Sequence, residues 1–456
     1  MKKRVNLTRG DIRTALISMA LPIMATSFVQ MAYNLTDMIW IGINGSKSTA
    51  AVGTAGFYTW LAMGIIALTK SGCEINVSQS YGAKDYKGVK SYVQTGFKLN
   101  ILIGILYTLI VFFARDFLVS IFNIEDKDVL IMASDYLKII CFFMPFYFLN
   151  PLLTGILNGY GDSKTPFKIN VVGLFVNMIL DPTLILGIGF FPKMGVKGAA
   201  LATGIAQLIV CVLFIYNVAK NEDLIDKESI REKFNKDYAR NILKIGIPVS
   251  LNMSMFCGFS MAIASIIGSF GAVAIAVQKV GSQIESISWM TSTGFATALG
   301  AFVGQNYGAK QLNRIKDGYK TAIKIVFVVG VIASLVLILG AKPIFYIFLR
   351  EEEALNIGIR YLQILGLSQF FMCVEITLSG AFNGLGKTKI PAYVSIIFTG
   401  ARIPIAIILS KYTSLGLDGV WWTISMTSVF KGIIIYIWFN KYIRSKKFKE
   451  SFEIAL

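Results

Sequence analysis

SQSYGAKDYKGVKSYVQTGFK, residues 78–98, returns as GQNYGAKQLNRIKDGYKTAIK at 304–324, with Gln, the run Tyr-Gly-Ala-Lys and three later positions matched 226 residues apart. Pro22 and Pro248 keep the same separation, and NGYGDSKTP (158–166) returns as NGLGKTKIP (383–391) at 225. Chance similarity does not hold one register at three separate places, so the chain is two copies of one unit.

Both copies are apolar. Over 456 residues the chain is 55% hydrophobic and 15% charged, with a mean hydropathy of +0.64, which is the balance of an integral membrane protein rather than a soluble one. Apolar runs fall near 14–43, 50–80, 94–120, 130–157, 166–191, 195–219, 241–269, 271–303, 320–348, 355–383, 390–411 and 416–440. Each is long enough for the roughly 20 to 25 residues of a transmembrane helix. The expected fold is therefore all-α, with twelve transmembrane helices in two pseudo-symmetric six-helix bundles. Six helices per copy start each repeat on the same side of the membrane, which makes the repeats parallel and the architecture that of a transporter. The expected division is an N-terminal lobe at 1–220, a cytoplasmic linker at 221–240, a C-terminal lobe at 241–440 and a basic cytoplasmic tail at 441–456. The apolar stretch after the first basic residues runs past Trp40, too long for a signal peptide, and reads as a retained first helix.

Forty-four Lys and Arg against 26 Asp and Glu give a net charge of +18. In a soluble protein that excess suggests nucleic acid; here it gathers in alternate connections. Lys2, Lys3, Arg4, Arg9 and Arg13 precede the first run, Lys84, Lys87 and Lys90 follow the second, Lys164 the fourth, Lys310, Arg314 and Lys316 the eighth, Lys387 and Lys389 the tenth, and Arg444, Lys446, Lys447 and Lys449 close the chain. The intervening connections are poor in basic residues or acidic, as at Glu125, Asp126 and Asp128 and at Glu351–Glu353. By the positive-inside rule both termini are cytoplasmic, in the plasma membrane, with no nucleic-acid partner.

Histidine is absent and the five cysteines lie singly in apolar runs, so neither a zinc enzyme nor redox chemistry is indicated. No GxxxxGK[ST] stretch occurs, so nothing points to ATP. Carboxylates must carry any proton or cation work. In the first helix Gln30, Asn34 and Asp37 recur at spacings of four and three, one face, with Tyr33 beside them. The fifth helix repeats the device with Asn170, Asn177 and Asp181, and Pro182 at once frees the backbone carbonyl of Met178. An ionised carboxylate at the bilayer centre costs roughly 2.5–3.5 kcal/mol on insertion scales, so such groups face a bundle interior and mark an ion path. Asp37 and Asp181 fall at similar depth. With amide oxygens from Asn177 and Asn150 they make a hard-oxygen site for sodium, and sharing one proton they make a proton carrier; residue types alone leave both open.

The proline and carboxylate of the first helix, Gln-x-Tyr-Gly-Ala-Lys after the second and eighth, and the NGxG turns after the fourth and tenth resemble the multidrug and toxic compound extrusion (MATE) family over nearly the whole chain. The resemblance implies a V-shaped central cavity between two bundles and export of organic cations or amphipathic drugs against entry of H+ or Na+. In the DinF-like (DNA-damage-inducible) branch of that family, an aspartate of helix 1 and an Asn-x3-Asp of helix 5 form the coupling site. Asp37 and Asn177/Asp181 match that pattern, Asn150 and Thr203 match neighbouring polar positions, and Asp37, Asp181 and Asn177 would ligate the metal if the ion is sodium. Pro22 is the expected bend of helix 1.

In the second copy the counterpart of Asp37 is Ile263, so the carboxylate site is not duplicated. Lys279, Glu285, Glu375 and Arg402 stand there instead, readable as a structural charge network or as substrate contacts. Glu375 occupies the position of Asn150. Tyr33, Glu285, Glu375, Met372 and Trp289 are the candidates for touching a lipophilic cation through acidic, aromatic and thioether contacts. No cofactor beyond H+ or Na+ is expected, and the chain is expected to act as a monomer with small-molecule substrates. A flippase for lipid-linked oligosaccharide is the alternative transporter reading; it would call for a strongly cationic cavity.

Overall fold

In a computed structural model, residues 5–122, 124–189, 191–226 and 234–453 are described. Lys2, Lys3, Arg4, the middle of the expected linker at 227–233 and the last residues of the expected tail lie outside them. The described residues form twelve long helices: α1 Ile12–Asn44, α2 Ser46–Gly82, α3 Tyr86–Ser120, α4 Lys127–Tyr160, α5 Lys164–Leu186, α6 Val196–Ala219, α7 Lys236–Gly268, α8 Ala272–Gly308, α9 Leu312–Leu339, α10 Glu352–Gly384, α11 Lys389–Lys411 and α12 Leu417–Arg444. Short helices at Ala341–Tyr346 and Lys446–Glu453 complete the described set. Eleven of the twelve are apolar enough along one window to cross a bilayer. The exception, α8, is 37 residues long but carries Gln278, Lys279, Ser282, Gln283, Glu285 and Ser286 in its first half. At 1.5 Å per residue a 33-residue helix spans about 50 Å, beyond the roughly 30 Å hydrocarbon core, so the longer helices project from it or tilt.

The duplication is visible in the backbone. Lys84 and Lys310 both take left-handed φ, 61° and 57°, after the Tyr-Gly-Ala runs. Each turn is closed the same way, Asp85 N–H donating to Ser80 O at 2.9 Å and Gln311 N–H to Asn306 O at 2.8 Å. Gly161 and Gly386 close α4 and α10 with φ of 96° and 70°, a conformation that glycine adopts without a Cβ penalty.

Two compact units result, one of Leu21–Ser250 and the other of Val5–Ala20 with Leu251–Leu456. The border thus falls inside α1 beside Pro22 and inside α7 just after Pro248, not in the polar stretch at 221–240 where the sequence places it. Packing explains the shift. The start of α7 belongs to the first unit because Gly246 and Gly72 leave room there: a methyl on Gly246 would lie 1.9 Å from Leu68 O, and one on Gly72 2.4 Å from Ile242 O. Residues 221–226 are likewise docked, with Leu224 fully buried and Tyr160 Oη donating to Asp223 at 2.6 Å. In the second unit Leu7 is fully buried. Its carbonyl accepts from Asn306 Nδ2 at 3.0 Å and Arg314 Nε at 3.1 Å, while Arg314 Nη1 donates to Gly10 O at 2.9 Å. The expected basic tail is also tied down, Phe448 burying itself beneath Tyr442 at 5.3 Å between ring centroids.

Candidate functional site

The first unit holds a carboxylate cluster where α1, α4, α5 and α6 meet. Its geometry begins with the α5–α6 connection. Gly187 ends α5 with φ 77°, and the chain folds back so that Met194 and Gly195 N–H groups donate to Leu184 O and Ile185 O at 3.0 and 3.1 Å. Gly198 lets α6 lie directly on that turn, since a methyl there would sit 2.3 Å from Leu184 O. The two helices are thereby fixed side by side, so that Asn177 and Asp181 of α5 and Thr203 of α6 all reach Asp37 of α1. Pro182 removes one helical N–H after Asp181, and Thr183 Oγ1 donates to the neighbouring carbonyls of Ile179 and Leu180 at 3.1 and 2.8 Å.

Asn177 and Asp181 are fully buried, and Asn177 Nδ2 donates to Asp181 Oδ1 at 3.1 Å. Asp37 of α1 interacts with Asp181, Asn177 and Thr203. Tyr33, 7% exposed, lies one turn before Asp37 and interacts with it, with Thr203 and with Asp181. Tyr136 of α4 completes the surroundings of both carboxylates. No Lys or Arg forms an ion pair with either aspartate among the described residues. Four buried oxygens have no hydrogen-bond partner there: Tyr33 Oη, Asp37 Oδ1, Asn177 Oδ1 and Asp181 Oδ2. Unmet acceptors at this depth are costly, so the cluster is built for a small cation or for a proton held between the carboxyl groups. With two carboxylates and no third His, Cys, Asp or Glu among the described residues, the donor set suits a hard monovalent cation better than a transition metal.

Other positions singled out from sequence are placed differently. Gln30 and Asn34 are exposed rather than joined to the carboxylates. Asn170 turns back on its own helix, Nδ2 donating to Pro166 O at 2.8 Å. Asn150 donates to Gln207 Oε1 and O at 2.7 and 2.9 Å. Tyr136 and Gln207 were not singled out; a tyrosine or glutamine inside an apolar run carries no spacing signal of its own.

In the second unit Glu285 of α8 accepts from Gln369 Nε2 at 3.3 Å. Glu375 of α10 is 8% exposed and pairs with Lys431 of α12 at 3.6 Å. Arg402 of α11 donates to Thr427 Oγ1 and Ser428 Oγ, both at 2.8 Å. Met372 is partly buried and Lys279 exposed, while Trp289, 47% exposed, lies against Phe256 at 6.2 Å between ring centroids. Lys431 had a signal that sequence reading passed over: it is a lone cation in the middle of an apolar run.

The family model MatE matches residues 22–183 and 248–408, one match in each copy. The chain is 28% identical over 435 residues to a probable multidrug resistance protein NorM of Thermotoga maritima, covering 94% of this chain and 92% of the relative. It is 29% identical over 438 residues to a probable multidrug resistance protein YoeA of Bacillus subtilis, covering 92% and 93%. Its fold matches an outward-facing structure of a multidrug resistance MATE family transporter with a TM-score of 0.89 at 25% identity, over 97% of this chain and 98% of that one.

Proposed function

The chain belongs to the MatE family of multidrug efflux transporters, and from that membership we propose that it is a secondary-active antiporter, of the DinF-like branch, that exports organic cations or amphipathic drugs as H+ or Na+ enters. The coupling residues are Asp37, Asn177, Asp181 and Thr203, with Tyr33 beside them. The observation that carries this reading is the pair of interacting carboxylates in the first unit with unmatched buried oxygens and no basic partner among the described residues.

The cycle follows from charge. Empty, the two carboxylates repel and cannot both stay ionised at low dielectric. A cation entering from the outer face neutralises them and draws α1 toward α5 and α6. That movement is carried along α1 past Pro22, whose missing N–H makes the helix easiest to bend there. Drug release accompanies the change, and loss of the cation to the cytoplasm resets the site. Each net charge moved inward per drug exported is worth about 2.3 kcal/mol per 100 mV, enough for a drug gradient of roughly 50-fold. The chain works as a monomer in the plasma membrane, with both termini cytoplasmic.

The test is efflux of a fluorescent organic cation from vesicles of known orientation, with proton and sodium gradients imposed separately. Export driven by one gradient identifies the ion. No movement under either gradient, with folded protein, would overturn the antiport reading in favour of a lipid-linked substrate.

A further inference from the structure

The internal repeat gives every residue of the carboxylate cluster a counterpart in the second unit. Helices α5 and α11 are both 23 residues long, at an offset of 225, which sets Arg402 at the place of Asn177 and Ala406 at that of Asp181. Ile263 stands for Asp37. Gly195 and Gly416 open α6 and α12 with matching φ of 55° and 54°, and that register sets Ile424 at the place of Thr203. Asp37, Asn177, Asp181 and Thr203 are therefore each replaced by an apolar side chain or a guanidinium.

In the same unit Glu285 and Glu375 each have internal company. Glu375 pairs with Lys431, which is 6% exposed. Arg402, 9% exposed, is held by the Thr427 and Ser428 hydroxyls, with Glu375 and Glu285 as its nearest acidic influences. Among the described residues no carboxylate comes within ion-pair distance of Arg402, so its charge is balanced at longer range. Glu285, Glu375, Arg402 and Lys431 together sum to zero with nothing bound.

We infer that Lys431 and Arg402 are tethered cations, standing in the second unit for the exchangeable cation of the first, and that they confine ion exchange to one unit and so set the charge moved per drug. This rests on the proposed coupling at Asp37 and Asp181. Lys431 is the determinant that can be removed cleanly: without it, among the described residues, Glu375 keeps only the longer-range charge of Arg402, which Glu285 shares, and takes up a proton or a sodium ion of its own.

The experiment compares wild type, Lys431→Met, Lys431→Arg and the double variant Lys431→Met/Glu375→Gln, each reconstituted in liposomes. Infrared titration reads carboxyl protonation without any transport. The membrane potential that just balances a set drug gradient reads charge per drug. Lys431→Met is expected to show a titrating carboxyl, or a sodium-sensitive one, that disappears in the double variant. Its sustainable drug gradient is expected to rise by a further factor of about 50 per 100 mV, the equivalent of one charge. Lys431→Arg and the double variant, which keep or delete the pair as a whole, are expected to match wild type. A Lys431→Met protein with no new carboxyl signal and unchanged charge per drug would overturn the inference. If that variant does not fold, a changed charge per drug in Lys431→Arg or in the double variant overturns it equally. Asp181→Asn separates the two readings: coupled export surviving there would remove the coupling site, while the infrared comparison would still decide the role of Lys431.

Discussion

Tyr33 and Asn34 flank Asp37 on opposite sides of α1, because positions four and three residues earlier fall about 40° and 60° to either side at 100° per residue. The protein buries the Tyr33 edge and leaves Asn34 exposed. Sequence spacing therefore located Asp37, Asn177 and Asp181, whose type alone is decisive inside a membrane, but could not say which edge of the polar stripe turns inward. That choice is made by α5 and α6, through contacts remote in sequence. Two predictions follow from this placement. Thr203→Val removes the hydroxyl beside Asp37 and should raise the half-saturating concentration of the coupling ion by roughly five- to tenfold, the equivalent of one hydrogen bond of about 1 kcal/mol. Asn34→Ala should leave it unchanged; ion titrations of drug efflux read both.

Helices pack closely here because glycines repeat at matching places. A methyl on Gly159 of α4 would lie 2.3 Å from Glu74 O of α2, and one on Gly384 of α10 2.4 Å from Gly300 O of α8. Alanine would raise helix propensity by up to about 1 kcal/mol, yet backbone cannot yield as a side chain can, and overpacking costs about 1–3 kcal/mol. Gly159→Ala and Gly384→Ala should each lower the melting temperature in detergent; a rise would mean that the helices separate at no cost. The docked segment Val5–Gly10 offers a second test. Arg314 and Asn306 hold its carbonyls, so Arg314→Ala should speed amide exchange and proteolysis in residues 5–10 while leaving α3 and α4 protected. The helices themselves were legible as apolar runs. The docking of 5–10, of 221–226 and of Lys446–Glu453 was not, since polar composition gave no sign of the buried Leu7, Leu224 and Phe448.

At the scale of the molecule, duplication and loop charge argue for one topology, and all five native cysteines are buried, so introduced thiols report cleanly. Lys84→Cys and Lys310→Cys should react only with reagent applied to the cytoplasmic face, and Asp128→Cys and Glu352→Cys only from outside; labelling of Lys84→Cys and Lys310→Cys from different faces would break the parallel-repeat arrangement. The repeat was legible because turns tolerate little variation at positions of special φ, such as Lys84 and Lys310. The division of roles between the units was half legible. Loss of the aspartate at Ile263 could be counted off, whereas the pairing of Glu375 with Lys431 depends on α10 and α12 packing side by side.

Coupling through the first unit is tested most directly by following the ion itself. Liposomes carrying the protein are given a steady drug gradient, and uptake of protons or sodium is recorded as drug moves. Wild type should take up ions in fixed proportion to drug, and Asp181→Asn should lose all drug-dependent uptake while remaining folded. Unchanged drug-dependent ion uptake in Asp181→Asn would contradict the account.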